Sequence, residues 1–239
     1  MTEQVKELKK LTDASDNIVF FGGAGVSTES GIPDFRSEDG LYHQQYDYPP
    51  EQILSHSFFM ANPKEFYRFY HAKMICPEAR PNAAHRKLAE WEKEGRLRAV
   101  ITQNIDNLHQ MAGSKNVLEL HGSTHRNYCM SCGETYTWQY VAHSEGVPRC
   151  EHCGGLVRPD VVLYEEALDM DVMERAVDYI SKADILIVGG TSLAVYPAAG
   201  LIRYYRGDKL VLINKSTTSY DRQARLCIAE PIGEVLGQL

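Results

Sequence analysis

Five short apolar runs, separated by segments with helical spacing, constrain the fold of this chain more than any other feature of its sequence. Apolar runs of this length that end at glycine or polar residues predict strands buried on both faces. Strands that alternate with helices predict an α/β fold with a parallel sheet covered by helices on both sides. The predicted strands are Ile18–Phe21, Leu97–Thr102, Val117–Leu120, Asp184–Gly190 and Lys209–Asn214. The predicted helices are Val5–Leu11, Pro63–Met74, Ala83–Glu94, Asp106–Ala112, Asp171–Ser181 and Pro197–Tyr205.

Small or polar residues follow each predicted strand, and this recurrence indicates a site. Ligands of parallel α/β sheets bind beyond the carboxyl ends of the strands. One such strand end is explained by an ordinary turn, whereas five together favour a binding or catalytic site. The strand ends are Gly22–Gly25, Gln103–Asp106, His121–Ser123, Gly190–Ser192 and Asn214–Ser216.

The stretch GGAGVSTESGIPDFRS follows the first predicted strand. Gly23 and Gly25 allow a tight turn whose backbone N–H groups favour a phosphate, and Arg36 adds charge-assisted bonds to it. The third glycine of a dinucleotide fingerprint is missing, because Thr28 occupies its position. A Gly-x-Gly pair alone is a turn about as often as a phosphate cradle. Residues 30–50 lack a clear period and predict a long ordered loop that belongs to a site.

Four cysteines mark a second, smaller module between residues 124 and 160, where the alternation of strands and helices breaks. They form two Cys-x-x-Cys pairs at a spacing typical of a zinc ribbon, in which four thiolates hold a structural ion in a closed tetrahedral site. Two disulfides or a redox pair are the alternatives, and the lack of a secretion signal favours zinc. The predicted ligands are Cys129, Cys132, Cys150 and Cys153.

Composition and charge exclude several classes of function. The net charge of −7 argues against a protein that binds nucleic acid, since such binding depends on neutralisation of phosphates by Lys and Arg. No apolar run approaches the roughly 18 residues of a membrane span. The polar N-terminal segment, MTEQVKELKK, does not resemble a secretory signal. We therefore expect a cytoplasmic enzyme that binds neither nucleic acid nor membranes; the sequence does not indicate its oligomeric state.

Several ordered motifs together resemble one family over nearly the whole chain. The motifs are GAG-x-S-x-x-SGIPDFR, TQNID-x-LH, ELHGS, the two Cys-x-x-Cys pairs, GTSL-x-V-x-P and LIN. On these motifs the chain resembles the sirtuins, which are NAD-dependent protein lysine deacylases, and in particular their compact bacterial members. The resemblance implies a Rossmann-like, doubly wound parallel sheet, an inserted zinc-ribbon domain, and a cleft between them that takes NAD and an acyl-lysine peptide.

The resemblance also implies how the chain divides into domains. Residues 1–35, 80–123 and 158–239 are expected to form the Rossmann-like NAD-binding domain. Residues 36–79 are expected to form the cofactor loop and the helical part of the small domain, and residues 124–157 its zinc-ribbon module.

The family reaction that this resemblance implies transfers the acyl group of a lysine to ADP-ribose. The acyl oxygen attacks the ribose carbon that bears nicotinamide, nicotinamide leaves, a ribose hydroxyl attacks the acyl carbon, and water finally releases lysine and O-acyl-ADP-ribose. By resemblance His121 is the base for the ribose hydroxyl, a role that suits an imidazole near neutral pH. Asn104 is expected to support the early chemistry and, with Gln103, to hold the ribose hydroxyls.

The resemblance further assigns NAD contacts to the loops at the strand ends. Asp106, with the backbone of Ile105, is expected to recognise the nicotinamide carboxamide, although an acidic residue at a helix start is equally a plain cap. Phe35 is expected to shield the reactive ribose carbon, and Tyr42 to close over the loop. The full predicted NAD site is Gly23, Ala24, Gly25, Thr28, Asp34, Phe35, Arg36, Tyr42, Gln103, Asn104, Ile105, Asp106, His121, Gly190, Thr191, Ser192 and Asn214.

The substrate peptide is expected to add as an extra strand between the two domains, where backbone hydrogen bonds supply affinity. The segments DVVLYEE and GTSLAV flank that groove by resemblance. Val162, Leu163 and Val195 are the candidates for its tunnel and rim. Apolar residues in predicted strands are equally ordinary core residues, so both interpretations stay open.

Two departures from the family pattern bear on the acyl group. Tyr164–Glu166 reads YEE where many members have Phe-Gly-Glu, so the conformation of that loop is open. Members that prefer succinyl or malonyl groups carry a Tyr followed three residues later by Arg, whereas this chain has Tyr67 and Tyr70. An acyl carboxylate without that Arg is buried unpaired, which is costly. We therefore expect a deacetylase of acetyl-lysine proteins, with longer neutral acyl groups as the alternative.

Two functions of other classes remain as alternatives. An NAD-dependent protein ADP-ribosyltransferase shares the cofactor pocket but passes ADP-ribose to a protein. The second alternative is a non-catalytic zinc-ribbon module that binds a peptide or a nucleic acid. The peptide groove and His121 favour deacylation over the first alternative. The acidic charge and the polar strand ends oppose the second.

Overall fold

The computed structural model describes residues 1–34 and 47–239. The strands are β1 (Ile18–Gly22), β2 (Leu97–Thr102), β3 (Val117–Glu119), β4 (Gly122–Cys129), β5 (Thr135–Thr137), β6 (Val157–Val161), β7 (Ile185–Gly189), β8 (Lys209–Ile213) and β9 (Leu226–Ile228). The helices are α1 (Glu3–Asp13), α2 (Pro50–Ile53), α3 (His56–Ala61), α4 (Pro63–Lys73), α5 (Ala83–Lys93), α6 (Leu108–Ala112), α7 (Trp138–His143), α8 (Met170–Lys182) and α9 (Ile232–Leu236). Short 3-10 helices cover Ala24–Val26, Thr28–Ser30 and Ala198–Tyr204.

Six strands form one parallel sheet in the order β3-β2-β1-β7-β8-β9. The chain builds outward from β1 to β3 and then returns to the other side of β1 to build β7, β8 and β9. The strand order therefore reverses between β1 and β7, which confirms the predicted doubly wound parallel sheet. In such a sheet a crevice opens at the carboxyl ends of the two strands that flank the reversal.

Five strands of this sheet are predicted from the sequence, and the sixth, β9, is not. The run from Leu226 to Ile228 has three residues, and its first two are only partly buried because β9 lies at the edge of the sheet. So short a run has no period that distinguishes a strand from a loop. Its pairing with β8, in which Leu226 lies opposite Val211, is what defines it as a strand.

Helices cover both faces of the parallel sheet, and β1 is buried along its whole length. Ile18 and Phe20 belong to a hydrophobic cluster with α1, α5 and α9, whereas Val19 and Phe21 belong to a second cluster with α8 and the 3-10 helix Ala198–Tyr204. Successive side chains of a strand point to opposite faces, which explains this division. The near-continuous apolar runs of the sequence are thus the expected pattern of a sheet packed on both sides.

A smaller body combines the antiparallel sheet β5-β4-β6 with helices α2, α3, α4 and α7. Its hydrophobic cluster is rich in aromatic rings from α3 and α4, including Phe59, Phe66 and Tyr67. Strand β4 begins directly after His121, and β6 ends at Val161. The chain therefore enters and leaves this body beside the parallel sheet. The predicted second module is present, while the domain boundaries given above stay a prediction.

Helix α6 differs from its prediction in where it begins, and the segment before Tyr205 differs in the type of helix. Helix α6 begins at Leu108, two residues later than predicted, because the carboxylate of Asp106 accepts a hydrogen bond from the Leu108 N–H at 3.0 Å and Asn107 has a left-handed φ of 63°. The helix predicted from Pro197 to Tyr205 is a 3-10 helix of Ala198–Tyr204. Within the described ranges, none of the helices combines the length and the apolar character that crossing a membrane requires.

Candidate active site

Glycine lets the loops after β1 and β7 meet at the point where the strand order reverses. The N–H of Gly25 donates to the backbone oxygen of Gly190 at 2.8 Å. A Cβ on Gly25 would lie 2.8 Å from the Cα of Gly190, and Gly190 has a φ of +61°, which glycine adopts at little cost. A side chain at either position would push the two loops apart. Both residues line a large cleft at this edge of the sheet.

The cleft has a volume of about 1340 Å³ and is lined by residues of the parallel sheet and of the smaller body. Every residue of the predicted NAD site that the structure describes lines it. These residues are Gly23, Ala24, Gly25, Thr28, Asp34, Gln103, Asn104, Ile105, Asp106, His121, Gly190, Thr191, Ser192 and Asn214. Phe35, Arg36 and Tyr42 lie outside the described residues. The contact of each residue with NAD stays a prediction.

Ser27 joins two of the predicted site residues through its hydroxyl group. The Asn104 Nδ2 donates to Ser27 Oγ at 3.0 Å, and Ser27 Oγ donates to Asp106 Oδ2 at 2.6 Å. Because a hydroxyl group both accepts and donates, Ser27 orients the amide and the carboxylate at once. Ser27 is not among the site residues predicted from the sequence. Its position in the GAG-x-S motif was a signal, but a serine after a glycine turn is also a common helix-start residue.

The carboxylate of Asp106 is fixed by two donors. Burial raises the pKa of this carboxyl group, and the hydrogen bonds from Ser27 and from the Leu108 N–H act in the opposite direction. Both interpretations of Asp106 from the sequence therefore have support. Its Oδ1 atom accepts from the first turn of α6, and the residue also lines the cleft. A carboxylate of fixed orientation suits the recognition of a carboxamide.

His121 lies between β3 and β4, where the chain passes from the parallel sheet to the smaller body. Its Nδ1 lies 3.0 Å from the backbone oxygen of Gln103. A carbonyl oxygen only accepts, so Nδ1 carries the proton and Nε2 is unprotonated in the neutral ring. Burial lowers the pKa of His121, and the hydrogen bond to Gln103 raises it in part. The imidazole is therefore held neutral, with Nε2 able to accept a proton.

A second chain of hydrogen bonds crosses the sheet edge from β2 to β8. The Gln103 Nε2 donates to Thr191 Oγ1 at 3.0 Å, and the Thr191 N–H donates to Asn214 Oδ1 at 2.9 Å. The Nδ2 of Asn214 is buried and has no hydrogen-bond partner among the described residues. A buried donor without a partner is costly unless a ligand satisfies it. Thr191 and Asn214 line the cleft at this edge, and their contact with the adenosine half of NAD stays a prediction.

The three candidates for the peptide groove differ in burial. Val162 and Val195 are partly exposed, and both line the cleft. Leu163 lines the cleft as well but is 4% exposed and packs in the hydrophobic cluster of the smaller body. The interpretation of Leu163 as a core residue therefore has direct support, whereas a role for all three in peptide binding stays a prediction.

The four predicted zinc ligands cluster in the smaller body. The ligand atoms of Cys129, Cys132, Cys150 and Cys153 all lie within 4.8 Å of one another. The Sγ atoms of Cys129 and Cys153 are 3.5 Å apart, and those of Cys132 and Cys150 are 3.6 Å apart. A disulfide requires about 2.05 Å, whereas sulfurs around a tetrahedral zinc with bonds of about 2.3 Å lie roughly 3.8 Å apart. The four thiols therefore fit a structural zinc ion and leave no ligand position open.

Glu230 and Ile232 also line the cleft, although the sequence analysis did not single them out. Both follow β9, the strand that the sequence analysis missed. Without that strand, nothing in the sequence indicated that these residues reach the carboxyl edge of the sheet. Glu230 and Ile232 were therefore missed for the same reason as β9, which is too short to be recognised from the sequence.

The fold and the site define a class: a nucleotide-dependent α/β enzyme with a doubly wound sheet and a small metal-binding body. The Sir2 family model matches residues 23–197. The NAD-dependent protein deacetylase of Clostridium acetobutylicum is 60% identical, and the match covers 99% of this chain and 98% of that protein. The NAD-dependent protein deacetylase of Clostridium perfringens is 59% identical, with coverage of 100% and 99%.

Solved structures agree with this result. A structure described as "Sir2-p53 peptide-NAD+" superposes with a TM-score of 0.86 at 40% identity and covers 100% of this chain and 97% of that chain. A structure described as "Sir2 bound to acetylated peptide" superposes with a TM-score of 0.85 at 40% identity, with the same coverage. The chain belongs to the Sir2 family, the sirtuins, as the sequence motifs indicated.

Proposed function

We propose that the protein is an NAD-dependent protein-lysine deacetylase, which transfers the acetyl group of an acetyl-lysine protein to ADP-ribose and releases nicotinamide and O-acetyl-ADP-ribose. The observation that carries this proposal is the position of His121. Its unprotonated Nε2 belongs to a residue that lines the same cleft as the glycine turn between β1 and β7. Both clostridial relatives are named NAD-dependent protein deacetylase, and each match covers almost the whole length of both proteins.

Different residues of the cleft have separate roles in NAD binding and in proton transfer. NAD supplies ADP-ribose as the acyl acceptor and nicotinamide as the leaving group. In the turn at Gly23–Gly25 the N–H groups of both glycines donate to Gly189 and Gly190, which leaves the Ala24 N–H as the backbone donor of this turn for the pyrophosphate. Asn214, which lines the cleft, contacts the adenosine half. Asn104 and Gln103 orient the ribose hydroxyls. The Nε2 of His121 accepts the proton of the attacking ribose hydroxyl, and its neutral state suits that step near pH 7.

Two buried tyrosines support acetyl over dicarboxylic acyl groups. Tyr67 and Tyr70 stand where members that prefer succinyl groups have Tyr and Arg, and they are 0% and 1% exposed. The Tyr67 hydroxyl donates to the backbone oxygen of Val157, so it is already engaged. Neither ring is among the residues that line the cleft. An acyl carboxylate therefore finds no cation at these two positions, and a neutral acyl group is the better fit.

The same proposal extends to the partners and the cell compartment. The substrates are acetyl-lysine proteins or peptides, bound as an added strand between the parallel sheet and the smaller body. We propose that the enzyme acts in the cytoplasm, a reducing compartment in which the four cysteines of the zinc site stay thiols. The division into residues 1–35, 80–123 and 158–239 against residues 36–79 and 124–157 belongs to this proposal as well.

The test is incubation of the purified protein with NAD and an acetyl-lysine peptide, followed by mass spectrometry of the products. We expect deacetylated peptide, nicotinamide and O-acetyl-ADP-ribose in equal amounts. A panel of acetyl, butyryl and succinyl peptides then measures the acyl preference, with the succinyl peptide expected to react most slowly. If label from NAD stays on protein and no O-acetyl-ADP-ribose forms, the ADP-ribosyltransferase alternative is correct instead.

The variant H121A tests the role of the base separately. Loss of a positioned general base typically costs about 10²–10⁴-fold in rate, so we expect a loss of that size in turnover. NAD binding, measured by calorimetry, is expected to change by less than about threefold, since His121 contributes no charge to the pyrophosphate. Unchanged deacetylation in H121A would contradict the role assigned to this histidine.

A further inference from the structure

The segment Tyr164–Glu166 follows β6 and borders the cleft, and it contains an unusual backbone conformation. Glu165 has a φ of +76°, in the left-handed region that favours glycine. A residue with a side chain adopts this region only at a cost in free energy, and such residues cluster at functional sites. Something in the surroundings must therefore stabilise Glu165 in this conformation.

The side chain of Glu165 supplies that stabilisation through Ser57, at the start of α3. The Oε2 atom accepts a hydrogen bond from the Ser57 N–H at 2.9 Å, and Oε1 accepts one from Ser57 Oγ at 2.9 Å. Hydrogen bonds to a carboxylate are stronger than those to a neutral acceptor. A glycine in this position provides the conformation but no such anchor. In this chain a glutamate provides both.

The residues on either side of Glu165 are tied to the smaller body as well. The Tyr164 N–H donates to the backbone oxygen of Leu54, and the His56 N–H donates to the backbone oxygen of Tyr164, both at 3.0 Å. Glu166 forms an ion pair with Arg158 at 2.8 Å. Three consecutive residues are thus held in one orientation, and the middle one carries the left-handed bend.

The backbone of Glu165 itself remains available to a ligand. Its N–H and C=O form no backbone hydrogen bond with any other described residue. A peptide that adds as a strand pairs with free backbone groups of this kind. A rim that is already rigid lowers the ordering cost of that binding.

We infer that Glu165 is a positioning residue for the substrate peptide: its carboxylate, anchored on Ser57, holds the left-handed bend that presents the free backbone of this rim to the acyl-lysine peptide. The inference rests on the proposed deacetylase function and adds to it the residue that sets the affinity for the peptide in this chain. Glu165 acts through Ser57 and through backbone conformation, not on the reacting atoms.

The test compares steady-state kinetics of E165A, E165Q and E174A with the unmodified protein. In E165A we expect KM for the peptide to rise about fivefold, which corresponds to about 1 kcal/mol. The turnover number and KM for NAD are expected to stay within twofold. E165Q keeps an oxygen for the Ser57 N–H and is expected to stay within twofold of the unmodified protein in all constants. E174A removes an equal charge from the exposed face of α8 and is expected to change nothing.

The inference fails if E165A leaves KM for the peptide unchanged, or if E174A raises it by the same factor. It fails equally if E165A lowers the turnover number, raises KM for NAD and lowers the melting temperature together, because that result indicates a purely structural role. Calorimetric titration of the protein with an acetyl-lysine peptide, in the absence of turnover, separates this inference from the proposed function. A protein that binds the peptide but yields no product contradicts the function, and the effect of E165A on binding still decides the inference.

Discussion

The Nδ1 atom of His121 lies 3.0 Å from the backbone oxygen of Gln103, and this contact determines which nitrogen of the proposed base is free to accept a proton. The carbonyl oxygen keeps the proton on Nδ1, so Nε2 is the atom that accepts. Gln103 in turn is held by its own N–H, which donates to the backbone oxygen of Gly22 at 2.9 Å. The position of the proton on His121 therefore depends on Gln103 at the end of β2, which is itself held by Gly22 at the end of β1.

The pH dependence of deacetylation follows from this contact. Burial lowers the pKa of His121 below the ordinary value of 6.5, so the neutral base persists as the pH falls through 6.5. We expect kcat/KM, which reports the free enzyme, to be constant from pH 8 to pH 6.5 and to fall only below that value. The measurement uses an acetyl-lysine peptide without other titrating groups. An acid limb with a midpoint above pH 6.5 contradicts this assignment.

Ser27 is expected to matter for catalysis although it has no assigned contact with NAD. The variant S27A removes the acceptor of the Asn104 amide and one donor to the buried carboxylate of Asp106. Loss of one such bond to a charged group costs about 1.5–3 kcal/mol, so we expect kcat/KM to fall by about 10- to 100-fold. S181A, on the exposed face of α8, is the control. Equal activity of S27A and S181A would show that the orientation of Asn104 does not depend on this hydroxyl.

Removal of zinc is expected to unfold the smaller body before the parallel sheet. The four thiolates hold β4 to the loop before β6, and structural zinc sites supply much of the folding free energy of such small units. Treatment with a chelator is expected to expose amides of β4–β6 to hydrogen exchange, while those of β1 and β7 stay protected. C132A is expected to contain no zinc, and C227A a full equivalent. Full protection of β4–β6 in metal-free protein is the contrary result.

Two buried histidines, His85 of α5 and His109 of α6, are expected to make the protein sensitive to acid. Their rings are 4.7 Å apart, and burial lowers the pKa of His85 to about 4 and that of His109 well below the ordinary value. The unfolded chain binds protons at these sites below pH 6.5, whereas in the folded chain His85 does so only near pH 4 and the pKa of His109 also lies well below the ordinary value. Stability is therefore full above pH 6.5 and is lost as the pH falls from 6.5 towards 4.

The magnitude of this effect is up to about 1.4 kcal/mol per pH unit for each histidine in that window. We expect H109L, which fills the same apolar site without a titrating group, to show a shallower decline of the free energy of unfolding between pH 6.5 and 4.5. Urea unfolding at a series of pH values measures both slopes. Identical slopes for H109L and the unmodified protein would show that His109 does not contribute to the pH dependence of stability.

The structural relationships that decide the site join residues far apart in the sequence. Asn104 lies 77 residues from Ser27, and Ser57 lies 108 residues from Glu165. Neither hydrogen bond leaves a period or a spacing in the sequence, because each depends on how the loops after separate strands come together. The same holds for β9, whose three residues are a strand only because β8 lies beside them. Sequence reasoning therefore missed Ser27 and β9, and it left the YEE loop open.

The sequence by itself determined the α/β class, five of the six parallel strands, the four cysteines that cluster and the family, because apolar runs, cysteine spacing and ordered motifs are local patterns. Only the tertiary structure decided the strand order β3-β2-β1-β7-β8-β9, the proton position on His121 and the left-handed bend at Glu165. These three features depend on contacts between distant segments, and such contacts exist only when the chain is folded. Glu165 adopts a conformation that usually requires glycine because its carboxylate accepts two hydrogen bonds from Ser57.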